Sequence, residues 1–250
     1  FAGILFGLLL FGGSFILLFW NEGRAVRRAR DLAEGVRNVV TVDAARVDPA
    51  HEGRLVHITA DARTEETLTD SDFGISANAL ALRRVVEMYQ WKERKETERR
   101  KTAGGGETRT TRYTYQKIWS DDVIDSGRFR HPQGHENPDS KPFPDADIYA
   151  ETITAGAFTL SPSLVRRIRH FEPVRLSQES LNKVPAGTRD RLKLSGEYFY
   201  LDDDPGNPRI GDARIRFAVA PPGPVSLVAR QKGSSFEPYI TSAGNPIEFL

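Results

Sequence analysis

The sequence predicts a membrane-anchored, mainly β protein of the α+β class, with an N-terminal transmembrane helix followed by a β-rich domain. Three observations predict it. Phe1–Trp20 is a run of twenty residues without a charge, and Ser14 carries its only hydroxyl. From Val39 onward apolar residues alternate with polar ones, and the alternating runs are separated by Gly, Pro and Asp clusters. The chain of 250 residues leaves a polar remainder long enough for one large domain or two small ones.

At 1.5 Å per residue the apolar run makes roughly 30 Å of helix, about the depth of a bilayer's hydrocarbon core. Trp20 closes it where an interfacial aromatic belongs, and Asn21, Glu22 and Arg24 follow at once. A signal-peptide core is shorter, about 7–15 residues, and ends at small residues rather than Phe-Trp. Gly3, Gly7 and Ser14 fall near one face, and small residues so spaced let a second helix approach closely. That stripe is the expected helix-packing site, although chance often produces such spacing.

Asn21–Asn38 reads as a juxtamembrane helix with Val26, Ala29, Ala33 and Val36 on one side. Arg24, Arg27 and Arg28 offer contact to lipid headgroup phosphates. Glu22, Asp31 and Glu34 are interleaved, however, and favour the plainer reading of a solvated, partly salt-bridged face.

Strands are expected at Val39–Val42 and Leu55–Ile58, parted by a turn at Asp48–Gly53. A stronger pair is Ala79–Trp91 with Thr108–Trp119, read as a long hairpin whose tip is Gly104–Gly106. Tyr89 and Trp91 share one face of the first strand; Tyr113, Tyr115 and Trp119 share one face of the second. Ser120–Ile124 has the form of a helix start, and Ser161–His170 that of a short amphipathic helix with a serine cap and an early proline. Glu197–Leu201, Arg209–Val219, Val225–Arg230 and Phe236–Thr241 complete the β pattern. The expected order is thus a span at 1–20, a juxtamembrane helix at 21–38, a β block with the hairpin at 39–158, and a second β block at 159–250. The blocks share a loose pattern beginning at Gly53 and Gly196, compatible with a duplication.

Charge and composition exclude much. With 35 Lys+Arg against 34 Asp+Glu the net charge is +1, so no global field draws nucleic acid. Glu93, Glu96 and Glu98 interrupt the basic run beside the aromatic strands, and no nucleic-acid partner is expected. The lack of cysteine removes disulfides, thiolate catalysis and cysteine metal sites. No phosphate loop, nucleophile elbow, dinucleotide fingerprint or His-Glu-x-x-His is present, so no catalytic residue and no cofactor is assigned. His131 and His135 would need a helix to share a metal, which Pro132 and Gly134 oppose; Asp202, Asp203 and Asp204 lack calcium-loop spacing. No metal site is assigned.

Several segments carry a family likeness: Trp20–Val26, Val86–Trp91, Arg112–Trp119, Gly134–Pro138, Gly196–Tyr200, Gly211–Phe217 and Val228–Gln231. In this order they resemble the LUMA family of multi-span membrane proteins. The resemblance implies a first span, a large lumenal domain and further spans beyond Leu250, so the chain reads as a fragment of a longer protein. It implies no enzymatic activity, and residence in the endoplasmic reticulum or inner nuclear membrane for animal members, which organise membrane-protein complexes. The domain also resembles a tandem of small OB-type barrels. The arginine-rich, cysteine-free composition looks bacterial, which would make the domain periplasmic on an inner membrane. The positive-inside rule opposes that side, since five arginines between Arg24 and Arg37 follow the span. The leading expectation is a non-enzymatic scaffold that assembles with lipids, with other membrane proteins and with copies of itself. The alternative is a lipid-binding or lipid-modifying envelope protein, which would need an apolar pocket with convergent polar groups near 21–38.

Overall fold

The computed structural model describes residues 2–101, 107–201 and 204–250, and within these every side chain except those of residues 2, 5, 8, 9, 12, 16, 100, 101 and 108. The expected hairpin tip and the first two of the three consecutive aspartates lie outside the described residues.

A single helix, α1, covers Ala2–Asn38 without a break at Trp20. Its apolar end presents Phe6, Phe15, Leu18 and Phe19 to the outside, Phe19 at 82% exposure. Among the described residues no helix is long and apolar enough to cross a membrane. The transmembrane helix expected at 1–20 is corrected to that extent: the run is helical and exposed, and seven of its side chains lie outside the described set.

Among the described residues seventeen strands and three short α-helices follow, with two 3-10 turns at Pro49–His51 and Ser126–Arg128. In order they are β1 (Val40–Thr41), β2 (Leu55–Arg63), β3 (Thr67–Asp70), β4 (Ile75–Asn78), β5 (Ala81–Lys101), β6 (Glu107–Ser120), β7 (Ala146–Tyr149), β8 (Thr154–Ala155) and β9 (Phe158–Thr159). Then come α2 (Pro162–Val165), β10 (Glu172–Pro173), α3 (Gln178–Lys183), α4 (Ala186–Arg189), β11 (Leu192–Ser195) and β12 (Tyr198–Leu201). The chain ends with β13 (Ala213–Ala220), β14 (Gly223–Lys232), β15 (Ser235–Glu237), β16 (Tyr239–Ile240) and β17 (Pro246–Ile247). They form two compact units, one of Phe1–Glu65, Glu151–Arg169 and Pro222–Leu250, the other of Glu66–Ala150 and His170–Pro221. The units are therefore interleaved, not the successive blocks 39–158 and 159–250. The cause is long-range pairing, to which local periodicity is blind.

In the first unit the sheet runs β15-β14-β2-β8-β9, with β1 parallel to β2. Leu227 faces Ile58 and Ala229 faces Val56 in an antiparallel register, and alternate residues of both strands are buried, as a two-residue period requires. The sheet's ends meet: Thr159 N–H donates to Ser234 O at 2.8 Å, and Ser235 Oγ donates to Thr159 O at 2.9 Å. The result is a nearly closed barrel, with the rings of Phe158 and Phe236 stacked 5.2 Å apart. The turn from β8 to β9 needs Gly156. Its φ is +63°, and a Cβ there would lie 2.2 Å from Ala44 O.

In the second unit the order is β11-β12-β13-β5-β6, with β7 on β5 and β10 on β13. The hairpin β5–β6 forms as expected, from Met88 opposite Ser120 to Lys101 opposite Glu107. Tyr89 and Trp119 are a cross-strand pair with rings 5.1 Å apart. Phe73 packs against Phe143, Phe199 and Phe217 in the core. Arg84 is buried there, donating to Asp70 at 3.0 Å, Asp72 at 2.7 Å and Pro144 O at 3.1 Å.

Two local expectations are revised. Ser120 ends β6 instead of starting a helix, because its hydroxyl closes a turn with Asp122. The helix after Ser161 is confined to Pro162–Val165, capped by Ser161. Gly53 precedes β2 whereas Gly196 sits between β11 and β12, so the two glycines are not equivalent starting points of a repeat.

Candidate functional site

The candidate site lies in the first unit, where the charged half of α1 meets the C-terminal segment. Asp31 is buried and its carboxylate accepts from Thr241 Oγ1 at 2.7 Å and from Asn245 Nδ2 at 2.8 Å. One turn on, Glu34 accepts from Ser242 N at 3.0 Å, from Ser242 Oγ at 2.5 Å and from Tyr239 Oη at 3.3 Å. Asn38 Nδ2 then donates to Tyr239 Oη at 3.1 Å. These residues recur every three or four positions, so they share one helix face. The bonds from Ser242 hold Glu34 below the usual carboxylate value, against desolvation and the nearby charge of Asp31.

Gly35 is buried one turn beyond Asp31. A Cβ there would come within 2.9 Å of Ile247 Cδ1 and 3.8 Å of Leu55 Cδ2, so the helix backbone lies close against these two side chains. The segment is held from its other side by Glu248, whose buried carboxylate accepts from Ser163 Oγ at 2.7 Å and Arg167 Nε at 3.3 Å.

The helix packs against the domain through its polar face. The stripe Val26, Ala29, Ala33, Val36 is exposed, Val36 at 76%, while the polar face is packed. This packing corrects the expected salt-bridged face: Asp31 and Glu34 spend their oxygens on the C-terminal segment. Among the described residues Arg24, Arg27 and Arg28 have no ion pair, and Arg24 lies over the Trp20 ring at 5.4 Å.

Those three arginines line a groove of about 720 Å³ between α1 and the C-terminal segment, together with Asn21, Ala25, Asp31, Leu32, Asn245, Pro246, Ile247 and Phe249. The groove combines cationic and apolar walls, suited to an anion joined to an apolar body. Its lining holds no nucleophile with an adjacent base.

The other sequence-marked residues lie elsewhere. Gly3 and Gly7 are on the open surface of α1, where a Cβ would meet nothing within 4 Å; Ser14 Oγ donates to Phe11 O at 2.7 Å in its own helix. His135 stacks on Tyr115 at 3.8 Å and meets Trp91 edge-on at 4.8 Å, its ring 3.1 Å from His131 O. Among the described residues no three His, Cys, Asp or Glu are grouped to hold a metal. A smaller polar pocket of about 160 Å³ is lined by Asp43, Arg46, Asp48, His51 and Gln231. Gln231 donates to Asp48 O at 2.9 Å there, while Gln231 Oε1 and His51 Nδ1 are buried without a protein partner.

The partners of Asp31 and Glu34 escaped sequence reasoning because they are 210 and 208 residues away. One signal was present. A glycine inside a helix costs about 1 kcal/mol relative to alanine, and Gly35 therefore marked a close approach.

These features define a class: a β-domain protein carried on a long N-terminal helix with an exposed apolar end. Residues 88–250 match the family model for transmembrane protein 43. The chain is 36% identical over 260 residues to human transmembrane protein 43, covering all of this chain and 63% of the human protein. It is 31% identical over 248 residues to the Drosophila melanogaster homolog, covering 97% of this chain and 64% of that protein. The chain belongs to the transmembrane protein 43 family, also known as LUMA, and spans less than two thirds of the length of these relatives. No solved structure matches it.

Proposed function

We propose that the chain is the anchor and extracytoplasmic domain of a non-enzymatic membrane scaffold, which assembles with copies of itself and with other membrane proteins. The observation that carries this reading is the large apolar surface of α1 that the chain's own domain leaves uncovered. Phe6, Phe15, Leu18, Phe19 and Trp20 are exposed at one end, and Val26 and Val36 continue the exposure beside the domain. Soluble proteins rarely leave so long an apolar surface bare. Lipid suits the uncharged end, and partner proteins suit the stripe beside the domain.

Family membership supports the membrane setting, since the relatives are named as transmembrane proteins. The domain is assigned to the side of the membrane away from the cytoplasm. The sheet of the first unit supports the OB-type reading. Taken as five strands in chain order, β2, β8, β9, β14 and β15 close in the cycle 1-2-3-5-4, the connectivity of that Greek-key barrel.

Alkaline carbonate extraction followed by mild-detergent purification tests the reading. The expected result is a chain that stays in the membrane pellet and elutes above its monomer mass with other membrane proteins. Release into the supernatant, or elution as a lone monomer, would overturn it.

A further inference from the structure

We infer that the groove beside Arg24, Arg27 and Arg28 is a headgroup site for one anionic phospholipid. The inference rests on the membrane attachment proposed above and deepens it by naming a ligand. Its core is how the charges on α1 are spent. Asp31 and Glu34, the acids that follow these arginines on the helix, both bind the segment Tyr239–Asn245, and Glu22, two residues before Arg24, makes no ion pair with them among the described residues. The three guanidinium groups are left without a carboxylate among the described residues. Guanidinium is weakly hydrated and matches the oxygens of a phosphate in a fork of parallel hydrogen bonds, so it is the cation best suited to that group.

The surroundings choose a lipid over a free anion. A groove of about 720 Å³ is far larger than one phosphate needs. Pro246, Ile247 and Phe249 line its other wall, and Phe249 and, on the helix, Leu32 are each 50% exposed. Its lining reaches Asn21, immediately after the uncharged run, and the Trp20 ring lies 5.4 Å from the Arg24 guanidinium at that boundary. A molecule with an anionic head and an apolar tail would find both halves of its chemistry in sequence along α1.

The test uses the whole chain reconstituted into vesicles of phosphatidylcholine alone and of phosphatidylcholine with a minority of phosphatidylglycerol. Phosphatidylglycerol retained per chain is then measured after detergent extraction. The parent should retain it well above the bulk ratio. Combining Arg24→Gln, Arg27→Gln and Arg28→Gln should bring retention to the bulk ratio, a loss of about 100-fold in affinity at about fivefold per arginine. The charge-matched set Arg46→Gln, Arg54→Gln and Arg63→Gln, outside the groove, should retain the lipid, and circular dichroism should show all three proteins folded. Retention at the bulk ratio by the parent, or equal loss in both sets, would overturn the site while leaving the anchor intact. Displacement of the lipid by inorganic phosphate would overturn the choice of a lipid. A chain that enters neither vesicle would refute the membrane attachment itself.

Discussion

Asp31, on the first helix, and Thr241, 210 residues later, are joined by a buried hydrogen bond of 2.7 Å. With Asn245 on the second carboxylate oxygen, this contact ties α1 to the C-terminal segment. The helix is thereby fixed to the domain by polar atoms, which leaves its apolar residues for something else.

Asp31→Ala should destabilise the first unit by about 1.5–3 kcal/mol, the usual range for hydrogen bonds to a charged group. Urea denaturation measures the loss, and faster amide exchange at Thr241 and Asn245 would locate it. Unchanged exchange at both amides would show that the segment is held without Asp31.

Glu34 makes the same contact sensitive to acid. Its carboxyl is held below its ordinary value chiefly by the Ser242 hydroxyl, so the folded chain prefers the ionised form. For a depressed acid the stabilisation is present above the unfolded value, about 4.3, and is lost as pH falls through the lower folded value. The Ser242 amide resonance should therefore move with a midpoint below that of an unfolded glutamate, about 4.3. Glu34→Gln should abolish that movement. A transition near neutral pH would contradict the assignment.

In the second unit, Arg84→Met should cost about 3–5 kcal/mol, because Asp70 would remain buried with its compensating charge gone. Burial already pushes the Asp70 carboxyl upward, against the pull of Arg84. By contrast Arg94→Gln, on the exposed arm of the hairpin, should change stability by less than about 0.5 kcal/mol. Denaturation midpoints compare the two, and equal midpoints would mean that the Arg84 cluster contributes nothing net.

The hairpin was readable in the sequence because its information is local: alternation runs through Ala79–Trp91 and Thr108–Trp119, with a Gly-rich link between them. The pairings that define the units were not readable. Ile215 lies opposite Val86 and Leu227 opposite Ile58, and nothing in a strand's own pattern names its partner. The site was half legible. Arg24, Arg27 and Arg28 could be singled out, but their lack of partners depends on where Asp31 and Glu34 point. What the apolar stripe at Val26, Ala29, Ala33 and Val36 faces was not readable for a related reason. A helix usually buries such a stripe against its own domain, and this one buries Asp31 and Gly35 instead.

The measurement that bears most directly on the scaffold is chemical cross-linking of the chain in intact membranes, parent against Gly7→Ile. Gly3, Gly7 and Ser14 leave an open strip on α1 where backbones can approach closely, and packing of that kind drives helix association in lipid. Isoleucine at position 7 puts a branched side chain at the closest approach. The account predicts a cross-linked oligomer for the parent and a marked loss of it for Gly7→Ile, with the domain still folded. A parent that remains monomeric under the same conditions would contradict self-assembly, and an undiminished oligomer in Gly7→Ile would contradict the strip.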